Sequence, residues 1–294
     1  MTQNWLHRCV ADETHFRTAL WRTAPAVLRP ADPPLEVLTR PELERLLDHG
    51  LLRTPYIGLH QGAAELPAHR FCRPRAALGQ VLEDCADGPS VRALVRDERV
   101  TVLLRHVEQW HTGVRALAAG LGARLGLPVR ADCVLAAPGG RDHPGHGEDG
   151  DVLAVQLWGT GRWRVHAAPA TETAPASGAG PAEAGTGELL PDTVLRPGEV
   201  LYVPRGLAYA ARAEGGEPSA HLALTVREPA TADLRAVAQA LLADGCDLPE
   251  RPLGEAALTA AAADLLAHAT RVLDQLTPAD LLAVTRAVQL RGLS

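Results

Sequence analysis

The sequence predicts an α+β fold, in which a barrel or sandwich of short strands over residues 131–228 is flanked by helical regions at 1–130 and 229–294. Three observations carry this. The middle region breaks into short apolar runs punctuated by Gly and Pro, the texture of an all-β core. The first and last regions set apolar residues at helical spacing. At 294 residues the chain is also long enough for one substantial core and a smaller second unit.

In the first region Thr39 and Glu42 form a capping-box pattern ahead of Leu43, Leu46 and Leu47, and Gly50 supplies the stop. A further helix is expected from about Thr112, where Val114, Leu117, Leu121 and Leu125 share one face. Between them the β-branched run 100–107 reads as a strand. The middle region reads as strands at 131–137, 151–158, 162–166, 193–196, 199–204, 207–213 and 219–227. Gly159-Thr160-Gly161 and Glu214-Gly215-Gly216-Glu217 look like hairpin loops between them. Residues 170–188 contain no large apolar side chain and read as a mobile loop near the barrel mouth. In the tail Leu258, Leu265, Leu266 and Leu273 fall near helical spacing, and Thr277-Pro278 starts another helix as N-cap and first residue. Such a stripe must bury itself on the barrel or on a second copy, and a homodimer is expected.

Composition narrows the function. The chain has no lysine, so all 29 basic residues are Arg and any task needing a cation falls to Arg or His. A net charge of −6 weighs against general nucleic-acid binding. The five cysteines are widely spaced with no C-x-x-C, which argues against a disulfide framework and a cysteine zinc site. No apolar signal segment opens the chain and no run of about 18 apolar residues occurs, so a cytoplasmic protein without membrane contact is expected.

Two segments carry a family likeness. The first runs from His146 through Glu148 and Gln156 to Trp163 and Arg164, with a Gly-rich turn before the W-R pair. The second is 197–209, PGEVLYVPRGLAY. Together they resemble the cupin-fold JmjC oxygenases of the ribosomal-oxygenase branch. The resemblance implies a double-stranded β-helix (a jelly roll) flanked by N-terminal helices and a C-terminal helical dimerisation region. It also implies Fe(II) and 2-oxoglutarate as cofactors and a peptide or protein side chain as the group hydroxylated.

On that resemblance His146 matches the first metal ligand, and Glu148 stands where Asp is usual, a carboxylate one methylene longer. The third ligand place holds Tyr209 instead of His, and a phenol with a pKa near 10 is a poor ligand at neutral pH. His221 and Tyr209 flank the Gly215-Gly216 turn symmetrically, and a simple hairpin would make them cross-strand neighbours. His221 is therefore a candidate third ligand, or a hydrogen-bond partner for Tyr209. The basic residue that would hold the distal carboxylate of 2-oxoglutarate is replaced by Gly161, which puts that co-substrate in question. Arg162 is next to it but reaches inward only through a bulge. Thr225 matches the hydroxyl residue at the same carboxylate. Cys133, Leu135 and Ala137 take places that are usually more polar.

Each residue also has a structural reading. His146-Gly147-Glu148 could be a solvated turn, His143 a surface loop residue, Tyr209 a pocket wall, and His221 a satisfied buried histidine. Three functions follow: a side-chain hydroxylase with a variant metal site, acting on a specialised peptide substrate such as a biosynthetic precursor; an inactive pseudo-oxygenase that binds a peptide or assists a partner; and a cupin metal enzyme that does not use 2-oxoglutarate.

Overall fold

The computed structural model describes residues 4–49, 52–146, 150–167, 188–246, 248 and 254–291. Met1–Arg227 and Glu228–Ser294 form two compact units. The first holds strands β1 (Ala26–Leu28), β2 (Ile57–Gln61), β3 (Ala64–Glu65), β4 (Cys72–Ala77), β5 (Gln80–Ala86), β6 (Thr101–Leu104) and β7 (Val129–Ala136). They are followed by β8 (His143–His146), β9 (Gly150–Trp158), β10 (Thr160–Ala167), β11 (Glu188–Leu195), β12 (Val200–Val203), β13 (Leu207–Glu214) and β14 (Ser219–Arg227). Its helices are α1 (Trp5–Val10), α2 (Glu13–His15), α3 (Arg40–His49), α4 (Gly88–Asp97), α5 (Val107–Trp110) and α6 (Thr112–Leu125).

Two antiparallel sheets face each other. The larger has the order β1-β12-β9-β14-β7-β6-β2-β3, and the smaller β11-β10-β13-β8. From β7 to β14 the chain alternates between them or crosses in pairs, which makes a double-stranded β-helix. Consecutive strands such as β9 and β10, or β13 and β14, therefore lie in different sheets. The glycine turns expected to close hairpins instead carry the chain from one sheet to the other. Gly159 (φ 63°) and Gly215 (φ 86°) supply the left-handed backbone those turns need.

Burial follows this layering. β9 and β14 are buried along nearly their whole length, with no alternation, because both of their faces are covered. Leu153, Val155, Leu222 and Leu224 join Phe16, Leu117 and Leu121 in the core on the helical side. Val152, Ala154 and Leu201 pack inside the barrel with Trp163, Val165 and Tyr209. β10 up to His166 and β13 from Ala208 alternate between buried and part-exposed residues, as strands with one wet face do.

The region 1–130 is less helical than the sequence suggests. It contributes β1, β2, β3 and β6 to the larger sheet and the separate β4–β5 hairpin. These strands are short, and β4 and β5 are too rich in charged residues to show an apolar period. The strand expected over 100–107 stops at Leu104, because His106 turns left-handed (φ 52°) and leads into α5. The loop reading of 170–188 falls on residues outside those described, apart from the strand start at Glu188.

The second unit contains α7 (Thr231–Ala243), α8 (Glu255–Gln275) and α9 (Pro278–Arg291). α7 packs against both α8 and α9, and Arg286 pairs with Glu228 at 2.7 Å. Leu258, Leu265, Leu266 and Leu273 of α8 are exposed, by 43% at the least. No helix among the described residues is long and apolar enough to cross a membrane.

Candidate active site

Strand register decides which side chains look into the barrel. On β6, β7 and β14 the partners Leu103–Val134–His221 form one row across the sheet, and Asp132–Ala223 and Arg130–Thr225 form the next two. All of these line a cavity of ≈ 290 Å3, with Arg105 beyond the end of β6. The smaller sheet closes the other side with Tyr209 and Ala211 of β13 and His143 and Pro144 of β8. His60 and His106 complete the wall.

This parity corrects one sequence expectation. Cys133 belongs to the core on the helical side, and Leu135 packs at that side too, so the inward residues of β7 are Arg130, Asp132 and Val134. A slip of one residue in a strand exchanges its faces. In the sequence Arg130 and Asp132 alternate with the apolar Val129, Ala131 and Cys133, but Val134 and Leu135 put apolar residues on both faces, so the pattern alone does not say which face meets the barrel.

Tyr209 and His221 both reach the cavity, from opposite sheets and not as hairpin partners. The Trp163 indole touches each of them, with ring centroids at 5.5 Å from Tyr209 and 4.5 Å from His221. Burial, with the negative charge of Asp132 adding to it, raises the Tyr209 phenol well above its usual value. It stays a neutral hydroxyl at physiological pH and does not fit a metal-ligand role. Burial pushes the His221 imidazole down to about 3, with a smaller effect from His143, so it is neutral and keeps a lone pair. In that respect His221 fits a metal-ligand role.

His143 lies on the cavity wall and not in a surface loop, its ring edge-on to His60 at 5.0 Å. The His60 Nε2 lies 3.2 Å from Arg105 Nη2. Arginine can only donate, so Nε2 accepts and the proton sits on Nδ1. That Nδ1 is buried without a hydrogen-bond partner. Arg105 is otherwise committed to Glu65 (2.8 Å) and the Pro55 carbonyl (3.0 Å). Asp132 accepts from the His106 backbone N–H at 2.9 Å and pairs with Arg130 at 3.1 Å.

Arg162 does not reach the cavity. Its guanidinium is on the outer face of β10, held by both carboxylate oxygens of Glu214 at 2.8 Å and by Asp192 at 3.1 Å. The irregularities in the β10–β11 pairing come after Trp163, too late to turn Arg162 inward. The inward place at Gly161 is itself closed. A Cβ there would sit 2.8 Å from both Gln156 Oε1 and Trp163 Nε1. Both of those polar atoms are buried without hydrogen-bond partners. Gln156 is fixed by its Nε2, which donates to Ser219 Oγ (2.8 Å) and to the carbonyls of Trp158 (3.0 Å) and Ala220 (3.1 Å). Thr225 faces the cavity opposite Arg130.

His146 ends β8 opposite Ala208, and its side chain, like all of Glu148, lies outside what is described. Among the described residues no group of three His, Cys, Asp or Glu is arranged to hold a metal ion. Asp151 belongs to the framework: it accepts from Tyr202 Oη at 2.8 Å and pairs with Arg22 at 3.3 Å.

Residues 125–234 match the family model of the JmjC domain. Human ribosomal oxygenase 1 is 31% identical over 120 residues, covering 40% of this chain and 19% of that protein. The bifunctional lysine-specific demethylase and histidyl-hydroxylase NO66 of Drosophila persimilis is 32% identical over 97 residues, 33% of this chain and 14% of that one. The matched segment thus spans under a fifth of either relative. Solved structures of Escherichia coli YcfD, a ribosomal oxygenase, share the fold. One superposes with a TM-score of 0.55 at 19% identity, covering 92% of this chain and 69% of that one. Another, solved with cobalt and 2-oxoglutarate, gives 0.53 at 20% identity, covering 94% and 68%.

Proposed function

Residues 125–234 are a JmjC domain of the ribosomal-oxygenase branch, and from that premise we propose that the chain hydroxylates a peptide or protein side chain at a rearranged metal site. The ligand set in this reading is His146, Glu148 and His221. The observation that carries it is the position of His221, which faces the cavity across Trp163 from Tyr209. An imidazole is thus available within the barrel although the usual third place holds a phenol. Fe(II) bound there would supply O₂ activation, with 2-oxoglutarate as reductant. Among the chain's own residues, Trp163 fixes the His221 ring edge-on and keeps water from its buried side. Tyr209, as a neutral hydroxyl, offers a hydrogen bond to a ligand or substrate oxygen in the cavity.

The substrate is proposed to be a peptide, such as a biosynthetic precursor, or a protein, since NO66 is named as a histidyl-hydroxylase. A homodimer through the exposed leucines of α8, in a cytoplasmic setting, belongs to the same proposal. The test is to load the protein with Fe(II) without oxygen, add 2-oxoglutarate and air, and measure succinate. Succinate formation that requires His221 supports the reading. A protein that binds neither Fe(II) nor Mn(II) removes it.

A second reading is favoured by the neutral Tyr209 and the closed place at Gly161. In it the barrel is a pseudo-oxygenase that binds a peptide without turnover. Peptide binding that is indifferent to metal would select it.

A further inference from the structure

The cation absent from β10 has a counterpart on β7. Arg130 and Thr225 are cross-strand partners that both face the cavity. Arg130 uses Nη2 on Asp132 at 3.1 Å, whereas its Nε is buried with no hydrogen-bond partner. A buried guanidinium N–H left unmade calls for an acceptor. That Nε–H shares an edge of the planar guanidinium with Nη2, and the two donors together suit a carboxylate. Arg105, the other cation on the wall, is already taken by Glu65 and the Pro55 carbonyl. Arg162 is held outside by Glu214 and Asp192.

From this we infer that Arg130, with the Thr225 hydroxyl beside it, anchors the carboxylate of a small dicarboxylate of the 2-oxoglutarate class. The inference deepens the proposed oxygenase reading by naming the residue that holds its co-substrate. It also makes the two departures parallel. Tyr209 and Gly161 are both on the smaller sheet, and the residues that take over, His221 and Arg130, are both on the larger one, on the adjacent strands β14 and β7. The ligand thus leans on the larger sheet. A carboxylate placed there competes with Asp132 for the same guanidinium, so Asp132 limits affinity.

Calorimetric titration of the full chain with 2-oxoglutarate and with succinate, with and without Mn(II), tests this. Arg130→Ala is expected to weaken binding at least tenfold, Arg130→Lys to weaken it less, and Arg162→Ala to leave it unchanged. Asp132→Asn is expected to tighten binding several-fold, which a merely structural role for the Arg130–Asp132 pair would not produce. Melting curves of each variant establish that it is folded. If Arg130→Ala misfolds, Arg130→Lys and Asp132→Asn carry the test. Wild-type protein that binds neither dicarboxylate, or a folded Arg130→Ala that binds as wild type does, overturns the inference. Arg130-dependent binding without any succinate formation keeps the anchor and removes the oxygenase reading. Turnover that ignores Arg130→Ala keeps the oxygenase and removes the anchor.

Discussion

Tyr209 and His221 stand on opposite sheets of the barrel, and the Trp163 indole touches both, at 5.5 Å and 4.5 Å between ring centroids. Either residue can therefore address the same small volume, but they bring different chemistry to it. A phenol held protonated by burial is a hydrogen-bond donor. An imidazole held neutral by burial is a lone-pair donor.

The metal site provides the first prediction. Mn(II) binding, followed by electron paramagnetic resonance, is expected to fall at least tenfold in His221→Ala, and Tyr209→Phe is expected to bind as wild type does. The reverse pattern would assign the third ligand to Tyr209 and reject His221.

At Gly161 the geometry argues against a simple expectation. From the sequence, a Lys or Arg introduced there would rebuild the co-substrate cation. In the folded barrel even a Cβ at that place lies 2.8 Å from Gln156 Oε1 and from Trp163 Nε1. Gly161→Lys is therefore expected to destabilise the protein by about 1–3 kcal/mol and not to improve 2-oxoglutarate binding. Chemical denaturation with a parallel titration checks both. Tighter binding at unchanged stability would mean that Trp163 moves aside freely.

The exposed leucines of α8 lead to a third. Leu266 is 68% exposed and Leu258 56%. If they meet a second copy, Leu266→Glu is expected to turn a dimer into a monomer, as read by light scattering at micromolar concentration. Wild-type protein that is already monomeric rejects the homodimer.

A pH effect is expected from Glu36. Its hydrogen bond to the buried Arg8, Nη2 to Oε2 at 2.9 Å, holds the carboxyl below its ordinary value of 4.5. A depressed carboxylate pKa adds stability above the unfolded value, and that stability is lost as pH falls through the folded one. Glu36 is half exposed, so the contribution is about 0.5–1 kcal/mol. The melting temperature of wild type is expected to fall more between pH 6 and pH about 3 than that of Glu36→Gln. Parallel curves for the two proteins would show that the pair contributes nothing.

The sequence by itself determined the β-rich middle, the helical tail and the likeness to the JmjC barrel. Glycine turns, apolar runs and the His146–Gln156–Trp163 spacing are local features that need no knowledge of partners. The two-residue period of a strand also made it legible that Arg162, one place after Gly161, would face away from the barrel unless a bulge intervened. What only the tertiary structure decided was which strands are neighbours. The turn at Gly215 crosses between sheets, so Tyr209 and His221 meet across a cavity and not along a ladder. The parity of β7 was likewise open, because apolar residues occur on both of its faces: one packs on helices, and the other carries Arg130 and Asp132 into the barrel. Arg130 thus enters the cavity from a strand distant in sequence from Gly161. Local pattern fixes which face of a strand is polar, but only packing assigns that face to the solvent, to a core or to a site.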